Sequence, residues 1–485
     1  MNIINFTISD IINGYKEKRF SVSEVVRTYL ERIEKLNPQL NAFLTIDSEH
    51  ARKKAKKLDS NLTLRHGSGQ AIEQFNNLPL LGIPIGIKDM FLTKSVRTTA
   101  GSKVLENYIP PYSATVVERL EKAGAISLGK LNCDAWAHGS SGENSDFGNT
   151  LNPWAGDYVP GGSSSGSAAS VAASMIPVST GTDTGGSIRL PASFTNTVGL
   201  KPTYGLVSRY GVIAMASSLD SIGHFTKTVE DSAQILNVTA GADDYDSTVS
   251  NRDKENYLEG LAKPVKKLRI GIPKEYITGA LHKDIKEAFK KSVKILEDLG
   301  AEIKEVSLPH TEYAIATYYI IQPSEVSSNL ARYDGIRYGN DRSFFGKEAK
   351  RRIMLGTFTL SSGYYDAYYK KAMQVRTLII QDFAKAFDPS ADGVDALVAP
   401  VSPTPPWKFG EKLNDPLQMY LSDALTVPIN LAGVPALSVP AGFSSNKLPI
   451  GIQFIGPHFS EKLLFQIGYN FENKTGYYKQ TPLLR

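Results

Sequence analysis

The first 90 residues alternate between helical and strand periodicity. After the capping-box spacing of Ser21–Glu24, apolar residues recur every three or four positions as far as Pro38, which predicts an amphipathic helix. A polar loop is predicted for Asp59–Asn77. Residues 78–89 then alternate apolar with small side chains, so a strand is expected that places the apolar residues between Leu81 and Ile87 on one face.

The second half of the chain shows a strand, helix, strand rhythm. Strands are predicted at 268–273 and Ile303–Leu308, with an amphipathic helix at Asp284–Leu299 between them. This order is typical of parallel strands joined by right-handed crossovers. We therefore predict an α/β fold with a large mixed, mostly parallel central sheet flanked by helices on both faces.

Domain organisation follows from the absence of linkers. Helices are predicted at Ala314–Leu330 and Tyr364–Phe387, and short apolar strands resume at Ala396. No internal repeat or clean linker interrupts the sequence. We expect residues 1–485 to form a single domain with a helical insertion at roughly 315–390.

The composition of the chain indicates the class of protein and the cellular compartment. The 485 residues are 41% hydrophobic and 21% charged, as in a globular enzyme, and the net charge of +5 permits an acidic partner such as RNA without requiring one. The single Cys133 cannot form an internal disulfide, which is typical of a reducing compartment. No apolar run reaches the roughly 18 residues of a membrane span, and Met1–Arg19 lacks the apolar core of a signal peptide. A cytoplasmic location is expected.

The stretch Pro160–Pro191 contains the strongest candidate chemistry. Ser163 and Ser187 each follow a glycine pair, and the Ala/Ser-rich segment between them suits a short, tightly packed helix. Glycine leaves neighbouring backbone N–H groups uncovered, and an oxyanion needs such donors. The alternative is a flexible Gly/Ser linker. Apolar flanks and the charges of Asp183 and Arg189, which a neutral spacer does not need, favour a folded site.

Lys88 ends the strand predicted at 78–89, beside small residues. Its ammonium could extend to solvent while its stem covers apolar surface. If the side chain is buried instead, desolvation lowers its pKa. To act as a base near neutrality, its pKa must fall from roughly 10.4 to about 7, a free-energy difference of about 4 kcal/mol. The residue pattern alone favours the solvent-exposed interpretation.

Three other motifs are disfavoured. Gly162–Gly166 matches the G-x-S-x-G nucleophile elbow, but the preceding residues 152–160 are turn-like, whereas an elbow follows a strand. Gly124–Lys130 has the spacing of a phosphate-binding loop, but Leu131 stands where Ser or Thr should bind magnesium. Cys133 is interpreted as a packed small residue, because nothing in the sequence suggests an activating partner.

Three stretches together resemble the amidase signature family. They are Gly161-Gly-Ser-Ser-Ser-Gly-Ser, Gly181-Thr-Asp-Thr-Gly-Gly-Ser-Ile-Arg-Leu-Pro and Gly86-Ile-Lys-Asp. The similarity extends over most of the chain, and these motifs are long and specific. The segments 217–223, 364–371 and 428–433 resemble one branch of the family, the glutamine-hydrolysing subunits of tRNA-dependent amidotransferases.

The resemblance implies the amidase signature fold and a Ser–cis-Ser–Lys triad. On the matching positions Ser187 is the nucleophile, Ser163 the bridging serine and Lys88 the base, with a cis peptide bond between Gly162 and Ser163. The oxyanion hole is then formed by the backbone N–H groups of Thr184, Gly185, Gly186 and Ser187.

The branch also implies a pocket for glutamine. A carboxylate is bound best by arginine and an ammonium by an acid. By the resemblance, Arg352 and Asp423 have these roles, Tyr318 lines the pocket, and the insertion at 315–390 forms part of it. From the residues alone, Arg351 and Arg352 are interpreted as a surface pair and Asp423 as a helix cap. No metal site is predicted.

The activity implied by the resemblance is divided among subunits. This chain would hydrolyse glutamine through an acyl-enzyme and pass ammonia to a B subunit, which would use ATP and Mg²⁺ to convert Glu-tRNA(Gln) to Gln-tRNA(Gln). A small C subunit would complete a heterotrimer, and no cofactor is expected in this chain. The alternatives are a stand-alone amidase acting on another amide and a catalytically silent scaffold.

Overall fold

A computed structural model describes residues 3–65, 77–277, 279–337 and 339–484. Within this part of the chain, eleven strands form one sheet. The strands are β1 (Phe43–Ile46), β2 (Pro84–Lys88), β3 (Ile126–Leu131), β4 (Val178–Asp183), β5 (Val198–Lys201), β6 (Ser221–Thr226), β7 (Arg269–Pro273), β8 (Glu302–Val306), β9 (Ala396–Pro400), β10 (Ala436–Phe443) and β11 (Pro449–Ile455).

Helices surround this sheet in chain order. They are α1 (Ile8–Lys16), α2 (Val22–Leu40), α3 (Ser48–Arg65), α4 (Thr115–Lys122), α5 (Ser165–Ala172), α6 (Arg189–Thr195), α7 (Val229–Thr239), α8 (Lys283–Asp298), α9 (Ala314–Leu330), α10 (Lys347–Thr359), α11 (Lys371–Ala386), α12 (Pro416–Leu421), α13 (Val427–Ala432) and α14 (Glu461–Thr475).

Three predicted elements differ from the structure at their boundaries. α2 continues past Pro38 and ends at Leu40, because the next residue, Asn41, has a left-handed φ of 49° that stops the helix. α3 extends to Arg65, into the segment predicted as a polar loop, and residues 66–76 of that segment lie outside the described residues. The expected helix at Tyr364–Phe387 begins with a π-helical turn at Asp366–Lys370 before α11.

The sheet is mixed, but antiparallel pairs outnumber parallel pairs. Its strand order is β1-β3-β2-β4-β6-β5-β10-β11-β9-β7-β8. Four neighbouring pairs are parallel and six are antiparallel. The α/β class with a large mixed sheet is confirmed, whereas the expected majority of parallel pairs is wrong. The strand, helix, strand unit β7-α8-β8 is parallel as predicted, and the unit β2-α4-β3 is parallel as well. The two units lie near the two ends of the sheet, and the strands β5, β6, β10 and β11 between them pair antiparallel.

Helices cover both faces of the sheet. Gly199 of β5 and Ser438 of β10 are paired, and a Cβ added to Gly199 would lie 2.7 Å from Ala192 of α6. Leu437 points to the opposite face, because side chains alternate along a strand. There a Cβ added to Gly468 of α14 would lie 2.7 Å from Leu437. The centre of the sheet is therefore buried on both sides.

A buried ion pair joins distant parts of the chain at one end of β4. Asp183 and Arg189 are both fully buried, and the guanidinium donates to the two carboxylate oxygens at 3.1 and 3.0 Å. Arg189 also donates to Gln453 of β11 at 3.0 Å, and Asn430 of α13 donates to Asp183 at 2.9 Å. Burial alone would raise the pKa of Asp183, but the charge and hydrogen bonds of Arg189 lower it to about 2. The carboxylate thus stays ionised and fixes the segment between β4 and α6.

Removing one partner of this pair should destabilise the protein strongly. We expect Arg189→Met to lower the free energy of unfolding by about 3–5 kcal/mol, because it leaves a buried carboxylate without its cation. The measurement is urea-induced unfolding at pH 7. Lys122→Met is the matched control, since its partner Glu118 is solvent-exposed, and the expected loss is at most about 1 kcal/mol. Equal losses in both variants would contradict this account.

Candidate active site

The predicted catalytic side chains meet where β2 and β4 end. These two strands are parallel neighbours, so their carboxyl ends lie at the same edge of the sheet. β2 ends in Lys88, and β4 carries Thr182 close to its own end. The short helix α5, predicted from its small residues, packs against β2 and β4 and begins directly after Ser163 and Ser164. The folded-site interpretation of this Gly/Ser-rich stretch is confirmed and the linker interpretation is wrong.

The amine of Lys88 lies among hydroxyl groups. The residue is fully buried, and Nζ donates to Ser163 Oγ at 2.9 Å, to Ser164 Oγ at 2.9 Å and to Thr182 Oγ1 at 2.6 Å. The backbone N–H of Lys88 donates to Thr180 Oγ1 at 2.9 Å. The solvent-exposed interpretation of this lysine is therefore wrong.

Burial changes the protonation of Lys88. Desolvation lowers its pKa to about 8, while negatively charged groups farther away, among them Asp134, Asp183 and Asp220, oppose the fall. Ser164 Oγ donates its own proton to the Thr182 carbonyl at 3.3 Å, so its oxygen is left to accept from Nζ. When the amine is neutral, two of its contacts can be donations to Ser164 and Thr182, and its lone pair then faces Ser163.

The two glycine turns lie side by side. The peptide bond between Gly162 and Ser163 is cis, and the backbone N–H of Ser164 donates to the carbonyl of Ser187 at 3.3 Å. Ser163 is fully buried, whereas 8% of the surface of Ser187 remains exposed. A reactant from outside therefore reaches Ser187 before it reaches the interior hydroxyl and amine.

The backbone amides around Ser187 differ from the prediction at one position. The N–H of Gly186 donates to Asp183 at 2.8 Å and is not available to an oxyanion in this arrangement. The N–H groups of Thr184, Gly185 and Ser187 have no acceptor among the described residues. They can still serve as donors to a negatively charged oxygen.

Close packing explains why two glycines precede Ser187. A Cβ at Gly185 would lie 2.7 Å from the hydroxyl of Tyr318, and a Cβ at Gly186 would overlap the Thr426 hydroxyl. Gly186 also has a φ of 139°, which L-residues with side chains rarely adopt. Tyr318 and Thr426 thus hold the loop from opposite ends of the glycine pair.

The predicted glutamine-binding residues lie together and are buried. Tyr319 connects two of them, because its hydroxyl donates to Asp423 at 3.2 Å and its ring lies 5.5 Å from the guanidinium of Arg352. Asp423 also accepts from Ser140 Oγ at 2.7 Å. Burial raises the pKa of Asp423 to about 7, although the bond from Ser140 and the charge of Arg352 act in the opposite direction. Tyr318 packs edge-on against Tyr319.

The interpretation of Arg351 and Arg352 as a surface pair is wrong, and so is that of Asp423 as a helix cap. Arg352 is 4% exposed and donates from Nε to Glu348 at 2.8 Å, whereas Arg351 points to the surface. The two arginines are therefore not a surface pair. The side chain of Asp423 accepts from Ser140 and Tyr319 rather than from the first amides of a helix, so it is not a helix cap.

Several residues of the site escaped the sequence analysis. Thr182 could have been found, because alternation along β4 places it with Thr180 on the face that meets Lys88. Ser140 and Tyr319 carried no signal, since their contacts with Asp423 join segments 283 and 104 residues apart.

The disfavoured motifs have structural roles. Among the described residues no strand lies between β3 and α5, so Ser164 is not on a nucleophile elbow. Gly124–Lys130 belongs mainly to β3, and Lys130 is buried 3.2 Å from Asp89. Burial raises the pKa of Cys133 to about 12, so it remains a packed thiol.

In the part of the chain that the structure describes, no cluster of three or more His, Cys, Asp or Glu could hold a metal ion. None of the described helices combines the length and the apolar character that a membrane span needs.

Comparison with known proteins agrees with this geometry. A family model described as Amidase matches residues 24–465. The chain belongs to the amidase family. The amidase signature fold is thereby confirmed.

Individual amidase relatives are similar along the whole chain. The A subunit of glutamyl-tRNA(Gln) amidotransferase from Geobacillus sp. (strain WCH70) is 51% identical over 499 aligned residues that cover 100% of both chains. The protein of the same name from Halalkalibacterium halodurans is 50% identical with the same coverage.

Solved amidase structures share the fold. The crystal structure of the A subunit of glutamyl-tRNA(Gln) amidotransferase from Thermotoga maritima has a TM-score of 0.82 and 40% identity, with 100% of this chain and 97% of that chain covered. Native peptide amidase from Stenotrophomonas maltophilia has a TM-score of 0.81 and 28% identity, with 97% of each chain covered.

The pKa of Lys88 predicts how Ser187 reacts. A fluorophosphonate probe should label Ser187 at a rate that rises about tenfold per pH unit below pH 8 and levels off above it, because only the neutral amine accepts a proton. Mass spectrometry of the labelled peptide and gel fluorescence between pH 6 and 9.5 measure this.

Ser187→Ala should remove the label. Ser170→Ala is the control, because that hydroxyl donates only within its own helix, to the Ser167 carbonyl, and labelling should match the wild type. A labelling rate independent of pH, or a label retained by Ser187→Ala, would argue against this assignment.

Proposed function

We propose that this chain is the glutaminase subunit of a tRNA-dependent amidotransferase, with Ser187, Ser163 and Lys88 as its catalytic triad. The observation that carries the proposal is the buried amine of Lys88, 2.9 Å from Ser163, beside the turn that bears Ser187. The 51% identity along the entire chain to the A subunit of a glutamyl-tRNA(Gln) amidotransferase supports the choice of reaction.

The triad moves one proton along two hydroxyl groups. Neutral Lys88 accepts the proton of Ser163 as Ser163 accepts that of Ser187, and Ser187 Oγ bonds to the side-chain amide carbon of glutamine. The amide C–N bond then breaks, the nitrogen takes the proton back, and ammonia leaves. Water attacks the resulting ester by the same route in reverse, which releases glutamate and restores Ser187.

The developing oxyanion is held by backbone donors. The amides of Thr184, Gly185 and Ser187 have this role, and each such donor lowers the barrier by about 3 kcal/mol in comparable sites. Gly186, expected to be a fourth donor, instead binds Asp183 and so positions the other three. Its contribution is indirect.

The two ends of glutamine are held by opposite charges. Arg352 binds the α-carboxylate and Asp423 the α-ammonium, as the chemistry of the two groups requires. Tyr318, packed against Gly185, forms the wall between this pocket and Ser187. The helices within 315–390 form one side of the pocket, in keeping with a helical insertion in a single domain of residues 1–485.

Ammonia is used by partner subunits in protein biosynthesis. A B subunit binds ATP and Mg²⁺, activates Glu-tRNA(Gln) and receives the ammonia, and a small C subunit completes a cytoplasmic heterotrimer. This chain requires no cofactor for the glutaminase step, since lysine and serine supply the proton transfer and the nucleophile.

A second candidate function is a stand-alone amidase. The peptide amidase of similar fold, at 28% identity, favours it because the same triad can act on other amides. An enzyme of that kind does not need a cation and an acid placed to hold a free amino acid. Buried Arg352 and Asp423 therefore favour glutamine.

Glutamine hydrolysis with and without partners tests the proposal. Wild-type protein copurified with B and C subunits should release ammonia from glutamine and form Gln-tRNA(Gln) when ATP is present. Ser187→Ala should lower kcat by about 10⁴-fold or more, while added ammonium salt restores tRNA amidation. Hydrolysis of other amides but not glutamine would favour the stand-alone amidase instead.

The KM for glutamine should depend on the protonation of Asp423. Its raised pKa of about 7 means that the carboxylate loses its charge as the pH falls below 7. We expect KM to rise up to about tenfold per pH unit below 7, because a neutral acid attracts the α-ammonium weakly. Initial rates between pH 6 and 9 measure it.

Asp423→Asn provides the comparison. The variant should have a raised KM whose pH dependence below 7 is lost. A wild-type KM that is constant from pH 6 to 8 would contradict the role assigned to Asp423.

A further inference from the structure

Gln322 of α9 has a buried side-chain amide whose NH2 group has no hydrogen-bond partner among the described residues. The residue is fully buried, and its side-chain oxygen accepts from Arg352 Nη1 at 2.8 Å. Its Nε2 is also buried and has no hydrogen-bond partner among the described residues. Buried polar groups are nearly always paired in folded proteins, so an unpaired amide donor points to a missing acceptor.

The orientation of this amide is fixed by its neighbour. A guanidinium carries only donors, so the oxygen of Gln322 must face Arg352. Nε2 must then point away from Nη1. The donor cannot be satisfied by rotating the amide, because rotation would place two donors against each other.

Gln322 faces the same side of the helix as Tyr318. The two residues are four positions apart on α9, a spacing that places side chains on one helical face. Tyr318 lies against Gly185, two residues before Ser187. The unpaired amide therefore belongs to the pocket between Arg352 and the nucleophile.

The surrounding charges suit an anion with two oxygens. Arg352 uses Nε for Glu348 and Nη1 for Gln322, while Nη2 donates to no described residue. Burial and the charge of Arg352 lower the pKa of His138 well below its ordinary value, so this neighbour is neutral. Asp423, the acid of the pocket, accepts from Ser140 and Tyr319 through Oδ2 alone, so Oδ1 is left for the α-ammonium.

We propose that Gln322 is a specificity-determining residue whose Nε2 donates to one oxygen of the substrate α-carboxylate while Arg352 binds the other. This rests on the proposed glutaminase function. The amide adds a directed hydrogen bond without adding charge, and it holds the guanidinium of Arg352 in place at the same time. A substrate without the carboxylate leaves the donor unpaired and is bound less well.

Steady-state kinetics of Gln322→Leu tests this assignment. The variant has a similar side-chain volume and removes both the Nε2 donor and the oxygen that accepts from Arg352. KM for glutamine should rise about tenfold while kcat changes less than about twofold, a factor that corresponds to one hydrogen bond to a charged group. For 4-aminobutanamide, which is glutamine without its α-carboxylate, kcat/KM should stay within about twofold of the wild type.

Two further variants separate specificity from folding. Gln322→Glu has the same shape but places a carboxylate where the donor was, so KM for glutamine should rise more than in Gln322→Leu, and this variant decides the matter if the leucine protein does not fold. Ser327→Ala on the same helix, whose hydroxyl donates only to the Ser324 carbonyl, should behave as the wild type.

Three results would overturn the role assigned to Gln322, and a fourth would overturn the proposed function instead. An unchanged KM for glutamine in Gln322→Leu or Gln322→Glu overturns the assignment, as does an equal loss of kcat/KM for glutamine and 4-aminobutanamide, which would indicate a structural role. Wild-type enzyme that hydrolyses 4-aminobutanamide as well as glutamine also overturns it. Failure of the wild type to hydrolyse glutamine while it cleaves other amides overturns the proposed function itself.

Discussion

The burial of the Lys88 amine is the constraint on which the site depends. A buried ammonium is unfavourable unless an anion compensates it, and Nζ here contacts three hydroxyl oxygens and no carboxylate among the described residues. The site therefore stabilises the neutral amine. A direct salt bridge, such as the one between Lys130 and Asp89 next in the sheet, would hold the amine in its charged form.

The ion pair between Asp183 and Arg189 prevents an acidic side chain from contacting the amine of Lys88. Asp183 follows directly after the strand residue Thr182, close enough to influence Lys88, yet its charge is taken up by Arg189, Asn430 and the amide of Gly186. This keeps an acid near the amine without allowing contact. The same carboxylate shapes the turn that carries Ser187, so the electrostatics around Lys88 and the geometry around Ser187 depend on one residue.

Local features of this arrangement could be predicted from the sequence, and distant ones could not. The strand ending at Lys88, the small helix after Ser163 and the glycine turns follow from periodicity and residue type within a few positions. The donation from Gly186 to Asp183 was missed because the pattern shows which amides are uncovered, not which acceptor claims them. The antiparallel centre of the sheet was missed because the residue pattern of a short apolar strand does not show the direction in which it runs.

The pKa values of Lys88 and Asp423 are shifted toward each other by the same cause. Burial disfavours charge on either, so it lowers the pKa of Lys88 to about 8 and raises that of Asp423 to about 7. Under the proposed function, an amino-acid substrate supplies an ammonium to Asp423 and a neutral amide to the side of the site that holds Lys88. Binding therefore favours the carboxylate of Asp423 while leaving Lys88 without a new anion beside it. Under the proposed function, one buried site can thus hold a charged ligand beside a neutral amine, because the ligand's opposite charges lie at Arg352 and Asp423 rather than at Lys88.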